Sequence, residues 1–236
     1  MSTLLLRLAA PLQSWGVDAK FDRRGTERTP SKSAVIGLVA AALGRRRNES
    51  TEDLQSLCFG VRVDREGTLL RDYHTAKSDK SAYVTQRYYL ADAIFLAGLE
   101  GNEDLLAEIE HALRYPAFPP FLGRRSCPPE GKLLLGIRRS KTLLQALREE
   151  PWLVSEWAQR REDADVQLRI VTDADDISSG AYYQRDVPLS FDQSHRKFGF
   201  RRVREATPLA IYNSASRYSK KEGPTQHDPM LELGED

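Results

Sequence analysis

Arg23-Arg24-Gly25-Thr26-Glu27-Arg28-Thr29-Pro30-Ser31-Lys32-Ser33 runs directly into apolar positions at Val35, Ile36, Leu38, Val39, Ala42 and Leu43, and the stretch closes at Gly44. The apolar spacing is that of a helix with one buried face. Thr29 is placed to cap its start, and Pro30 suits a first turn, where a missing N–H costs nothing. Gly44 suits the positive φ of a C-terminal cap. A helix N-terminus with free backbone N–H groups, flanked by hydroxyls, a lysine and three arginines, favours an anion, phosphate above all. Taken alone, the stretch fits a solvated basic loop before an ordinary core helix equally well.

Upstream, Leu4, Leu6 and Leu8 alternate with Leu5, Arg7 and Ala9 as in a strand, and Pro11 to Gly16 forms a turn. Downstream, Phe59, Val61 and Val63 mark a second strand, which a turn at 65–67 joins to Leu69–His74 as a hairpin. Residues 76–85 are polar without strong periodicity, and one long strand is expected from Arg87 to Leu99. Asn102 caps a helix bearing Leu105, Leu106, Ile109 and Leu113; a strand at Lys132–Ile137 and a short helix at Ser140–Glu149 follow.

The order β, α, β, β, β, α, β predicts an α+β fold with a ferredoxin-like (RRM-like) βαββαβ core over residues 1–140. Strands at Val166–Val171, Tyr182–Phe191 and Phe198–Tyr212 form a C-terminal β-rich extension over 141–219. A polar tail, expected to be mobile, occupies 220–236.

No apolar run approaches the roughly 18 residues of a membrane span, and Arg7 interrupts the N-terminal leucines, so a soluble cytoplasmic protein is expected. Cys58 and Cys127 stand far apart without metal-ligand spacing, so reduced thiols and no cofactor or metal are expected. A P-loop, a dinucleotide fingerprint, zinc spacing and a nucleophile elbow are all missing, which argues against the commonest enzyme classes and leaves metal-free RNA cleavage open. The net charge of +1 hides blocks. Residues 1–47 carry nine Lys/Arg against three Asp/Glu, residues 121–150 seven against three, and residues 194–221 eight against one, with acidic blocks between. Basic blocks brought to one face are the footprint of a nucleic-acid binder.

Three loops and one strand carry candidate chemistry. Gln13 and Ser14 offer hydrogen bonds to a sugar or phosphate, while Trp15 either stacks on a base or packs against the core. Arg124 and Arg125, between Gly123 and the rigid Pro128-Pro129, offer fork-shaped donors. Tyr73-His74 with Lys77 can supply general acid–base groups or simply contact RNA. In the 194–221 block, alternation puts Phe198 and Phe200 on one face and Lys197 and Arg201 on the other, leaving open whether the rings are core or platform.

Four segments in order, Leu6-Arg7-Leu8-Ala9-Ala10-Pro11-Leu12-Gln13-Ser14-Trp15-Gly16, Pro30-Ser31-Lys32-Ser33-Ala34-Val35-Ile36-Gly37-Leu38, Asp72-Tyr73-His74-Thr75 and Leu122-Gly123-Arg124-Arg125-Ser126-Cys127-Pro128, closely resemble the CasD subunits of the type I-E CRISPR surveillance complex, Cascade. The resemblance covers roughly residues 3–140 and is looser beyond. It implies a repeat-associated (RAMP) fold that caps one end of a ribonucleoprotein complex and holds the 5′ handle of the guide RNA (crRNA). It also implies contacts with the large subunit that reads the protospacer-adjacent motif and with the hexameric-type backbone subunit, target DNA being reached through the complex. An inserted thumb is expected between Thr75 and Arg87.

The RNA-binding set on this reading is Gln13, Ser14, Arg24, Thr26, Arg28, Ser31, Lys32, Ser33, His74, Lys77, Arg87, Arg124 and Arg125, with no catalytic residue. Related subunits of type I-C systems cut the precursor RNA themselves, so a metal-independent endoribonuclease acting at the repeat is the alternative.

Overall fold

The structure, a computed structural model, describes residues 1–16, 23–77, 81–174 and 180–218. The expected tail at 220–236 and residues 78–80 of the expected thumb lie outside the described residues. The elements are β1 (Ser2–Ala9), β2 (Leu12–Gln13), β3 (Arg23–Arg24), α1 (Lys32–Ala42), α2 (Glu52–Gln55), β4 (Cys58–Arg65), β5 (Thr68–Lys77), β6 (Ala82–Ala91) and β7 (Ile94–Gly101), then α3 (Glu103–Arg114), β8 (Leu134–Arg138), α4 (Leu143–Glu149), α5 (Glu156–Gln159), β9 (Asp165–Asp173), β10 (Tyr182–Ser190) and β11 (Lys197–Tyr212). The fold is α+β and strand-rich.

Seven strands form one sheet in the order β10-β11-β9-β4-β7-β1-β8. Within it β1 is antiparallel to both β7 and β8, and β7 is antiparallel to β4. Leu4-Leu5-Leu6 is apolar without a break because β1 is buried on both faces. Leu4, Leu6, Leu8, Phe59, Val61, Phe95 and Leu99 pack against Val35, Ile36 and Val39 of α1 and Leu106 and Ile109 of α3. On the other face Leu5, Leu96 and Ile170 meet Leu143, Ala146 and Leu147 of α4. Gly60 and Gly98, directly opposite each other on β4 and β7, allow that approach. A Cβ on Gly98 would stand 2.6 Å from Leu143.

The second sheet is built around β6, which pairs with β5 along its whole length, antiparallel to β2 at Leu90–Ala91 and parallel to β3 at Gln86–Arg87. Two expectations change here. β5 does not form a hairpin with β4, which pairs instead with β7 and β9. The single long strand from Arg87 to Leu99 is broken at Asp92, whose φ of 56° turns the chain out of the second sheet and into the first. The aperiodic 76–85 segment accordingly includes strand residues of β5 and β6.

The start of α1 also differs from the sequence reading. Ser31, not Thr29, is the N-cap; its side chain accepts from the Ala34 N–H, so Pro30 precedes the helix. The Lys32 N–H donates to Asp186 Oδ2 at 2.8 Å. Asp186 is clamped by Arg201 (2.6 and 2.9 Å), and Arg201 also holds Asp173 at 2.5 Å. Asp173 in turn accepts from Lys32 Nζ (3.3 Å) and the Phe59 N–H (2.9 Å). Burial would pull the Arg201 pKa down, but the hydrogen bonds and charges of Asp186 and Asp173 outweigh it and hold the guanidinium above its ordinary range.

A second buried pair, Arg62 with Asp64, closes the end of α4. Arg62 donates to Asp64 and to the Leu147, Glu150 and Pro151 carbonyls. All of its donor nitrogens are engaged, as a buried charge requires.

Compact packing divides the chain into one unit of Met1–Leu153 with Leu168–Leu209 and a second of Val154–Gln167 with Ala210–Asp236. In the second, Asn213 ties the segments: its N–H donates to the Ala164 carbonyl, and its Nδ2 donates to the Gln159 and Asp163 carbonyls. No helix among the described residues is long and apolar enough to cross a membrane.

Removing Asp186 leaves Arg201 with Asp173 as its remaining carboxylate and takes the acceptor from the start of α1. Asp186→Ala is expected to lower unfolding free energy by about 3–5 kcal/mol in urea titrations, the scale for breaking a buried pair. Glu205→Ala, which breaks only a half-exposed 3.7 Å pair with Arg169, should cost about 0–1 kcal/mol.

Candidate nucleic-acid interface

The turn after β1 is set by Gln13. Its side chain is fully buried, with Nε2 donating to the Ala93 (2.6 Å) and Leu8 (3.3 Å) carbonyls and Oε1 accepting from the Trp15 indole N–H. Trp15 is fully buried edge-on against Phe95, so of its two readings packing holds. The Trp15 N–H donates to Thr26 Oγ1 at 2.8 Å, and its carbonyl accepts from the Glu27 N–H. Thr26 thereby pins the basic loop onto the turn.

The 121–127 loop rests on the same turn. The Ser14 N–H donates to the Leu122 carbonyl, and Gly123, at φ +83°, presses so close that a Cβ would stand 1.6 Å from the Ser14 carbonyl oxygen. Arg124 then crosses to the basic loop: it stacks over Tyr89 at 4.4 Å and donates to the Arg24 carbonyl at 2.9 Å. Arg23 lies over Tyr88 at 5.1 Å. Three loops far apart in sequence thus converge on β6, on the side opposite β5.

Arg24, Arg28 and Arg125 are exposed there, and Arg87 and Arg124 are half-buried. Arg87 Nε and Arg124 Nη1 are buried without a hydrogen-bond partner among the described residues. Beside them lies a cleft of about 500 Å³ lined by Arg71, Asp72, His74, Arg87, Tyr89 and Ser126 among others. His74 Nε2 is 2.5 Å from Asp72 Oδ2, and Lys77 is exposed at the far end of β5. Among the described residues no group of three His, Cys, Asp or Glu side chains is placed to hold a metal ion.

The expected RNA-facing roles of five residues need correction. Ser31, Lys32 and Ser33 are 0%, 5% and 7% exposed, and the anion at the helix start is the chain's own Asp186. Gln13 spends its amide inside the core. Ser14, also buried, donates from its hydroxyl to the Tyr88 carbonyl. The structure brings together Arg24, Thr26, Arg28, Arg87, Arg124 and Arg125, and it places His74 in the adjoining cleft. It adds Arg23, Arg71, Tyr88 and Tyr89, which the sequence reading passed over. The signal was there in Arg87-Tyr88-Tyr89, a cation beside two aromatics in a strand.

Residues 3–204 match the family model described as CRISPR-associated protein (Cas_Cas5). The chain is similar to the CRISPR system Cascade subunit CasD of Escherichia coli strain K12, with 36% identity over 170 residues, covering 62% of this chain and 75% of the relative. A solved chain described as a CRISPR RNA-guided surveillance complex superposes with a TM-score of 0.75 at 33% identity, covering 93% of this chain and 95% of that one. Another, described as a crystal structure of a Cas protein, gives 0.69 at 38% identity, covering 91% and 97%.

Two measurements test the geometry of these loops. Gly123→Ala adds backbone strain of about 1–3 kcal/mol on top of its clash with Ser14, and should lower the thermal midpoint by several degrees. Burial pushes the Cys127 thiol above its ordinary range, against the pull of Ser126 and Arg124, so less thiolate is present at a given pH. Ellman's reagent at mildly alkaline pH should therefore titrate the exposed Cys58 at once and Cys127 only on unfolding.

Proposed function

The chain belongs to the CRISPR-associated Cas5 family, and from that premise we propose that it is an RNA-binding subunit of a surveillance complex, holding the 5′ handle of the crRNA without cutting it. One observation carries the reading: three loops, at 13–16, 23–28 and 121–127, the last two cationic, are locked to one another along β6. Their exposed arginines, Arg24, Arg28 and Arg125, stand beside the half-buried Arg87 and Arg124, whose Nε and Nη1 respectively have no hydrogen-bond partner among the described residues. Guanidinium forks suit phosphate oxygens, and Tyr89 stiffens the Arg124 fork by stacking beneath it, as Tyr88 does for Arg23.

On this reading the strands β8-β1-β7-β4, with α1 and α3 on one face, are the ferredoxin-like core. The β5–β6 hairpin is the thumb expected at 75–87, longer than the sequence indicated. It presents Tyr73, Tyr83 and Val84 to solvent, a surface suited to a neighbouring backbone subunit. The large subunit is a further partner, target DNA is met within the assembly, and the protein works in the cytoplasm. A second reading, metal-independent cleavage at the repeat, has the Asp72–His74 pair in its favour, since a carboxylate orienting an imidazole in a cationic cleft is general acid–base apparatus.

Filter binding of handle RNA over a salt series tests the binding role. Arg24→Gln/Arg28→Gln/Arg125→Gln should weaken binding and reduce the slope of log K against log salt by about 2, at about 0.7 per neutralised phosphate on a single strand. Lys32→Met should lower stability and leave that slope unchanged. Incubating the purified chain with labelled repeat RNA in EDTA should leave the RNA intact; cleavage lost in His74→Ala would establish the second reading instead.

A further inference from the structure

The handle-binding reading leaves the 194–221 basic block unused, and the turn that opens the block is built onto α1. Phe191 packs on Gly37, where a Cβ would stand 3.4 Å from its ring, and it joins the first core cluster. Asp192 then sets the turn. Its Oδ1 accepts from the Ser194 N–H (2.7 Å), the Ser194 hydroxyl (2.6 Å) and the His195 N–H (3.2 Å). Arg196 follows, stacked over Phe198 at 5.1 Å, which holds the plane of its guanidinium. Phe198 is half-buried beneath it, whereas Phe200, two residues on, is exposed.

Arg45-Arg46-Arg47 leave the C-terminal end of α1. A helix C-terminus favours cations, and Arg45 has its acids: it donates to both Asp53 oxygens at 2.5 Å, and Glu49 and Glu108 act on it as well. Arg47 is exposed and makes no hydrogen bond or ion pair among the described residues. The charge that reaches Arg196 is that of Arg47. Packing around the Arg196 guanidinium and the Arg47 charge both pull its pKa below its ordinary range, and no carboxylate among the described residues opposes them. Two like charges brought together from distant segments repel each other in the free chain, and an anion set between them reverses the sign of the interaction. Guanidinium forks match phosphate oxygens, and His195 and Lys197 extend the charge along the same turn. Segments 45–50 and 192–197 hold no apolar side chain. A protein partner would therefore find charge without the apolar core of a stable interface, and a base would find no ring to stack on. The sugar-phosphate backbone needs neither.

We infer that Arg47 and Arg196, with their sequence neighbours Arg46 and Lys197, form a second phosphate site at the C-terminal end of α1, which holds a nucleic-acid strand by its backbone alone. None of these residues belongs to the β6 loops, so the inference goes beyond handle binding and does not depend on it.

The test is filter binding of the full chain over a salt series. Three probes of about 30 nucleotides, long enough for two sites of usual size, separate the sources of the backbone: oligo-U, oligo-dT and a DNA duplex of mixed sequence. Arg47→Gln/Arg196→Gln should weaken at least one probe several-fold and cut its slope of log K against log salt by about 1.4 on a single strand or about 1.8 on the duplex, for two phosphates. Arg47→Gln alone leaves the stack on Phe198 intact; it should cut the slope by about half as much and keep the parental thermal midpoint. Arg114→Gln/Arg139→Gln removes the same charge from arginines already paired with Glu110 and Glu103, and should leave the slope unchanged. No measurable binding to any probe, an unaltered slope on all three, or an equal loss in the Arg114→Gln/Arg139→Gln chain overturns the inference. So does loss of complex assembly with all three slopes unaltered, which would make the pair a protein contact.

Discussion

The structure depends on how the start of α1 is neutralised. Lys32, Asp173, Arg201 and Asp186 form one buried network across α1, β9, β10 and β11, and each charge in it has an opposite partner within hydrogen-bond range. A helix N-terminus and two cations in the interior would be untenable alone; two carboxylates make them a closed set. The network ties the C-terminal strands of the first sheet to the start of α1. It also occupies the helix start from within, so that site is closed to an external anion.

The second constraint is β6. It is the common strand on which β2, β3 and β5 all pair, and its Tyr88 and Tyr89 support arginines from two separate loops. The geometry of Gly123 against Ser14 and of Thr26 against Trp15 leaves these loops little freedom, so the cationic surface is largely organised before ligand arrives. Such preorganisation lowers the entropy lost on binding. The surface is built on a strand of the second sheet rather than on a helix terminus.

Much of the fold was legible in the sequence because it rests on local pattern. The alternation in β1 and β4, the Asn102 cap of α3 and the Gly44 stop of α1 are written within a few residues. What escaped depends on partners distant in the chain. The carboxylate at the helix start comes from Asp186, 154 residues away from Lys32, and local sequence cannot separate it from a phosphate. The break at Asp92 was hidden because the apolar pattern runs on through it. The burial of the β11 faces follows from where Arg201 finds its carboxylates, which alternation alone left open. In the candidate site, charge composition pointed to loops that the structure gathers together; Gln13, Ser31 and Lys32 are buried away from solvent, and Tyr88 and Tyr89 stack under arginines of those loops.

The central claim is that RNA lies along the loops gathered on β6. Photo-crosslinking of the assembled complex through a crRNA bearing 4-thiouridine in its 5′ handle, with the attached peptides mapped by mass spectrometry, tests it most directly. The account predicts cross-links in peptides containing Arg23–Arg28, the β5–β6 hairpin and the 121–127 loop. Cross-links in this chain confined to peptides outside those three segments, with the handle shown to be bound, would contradict it.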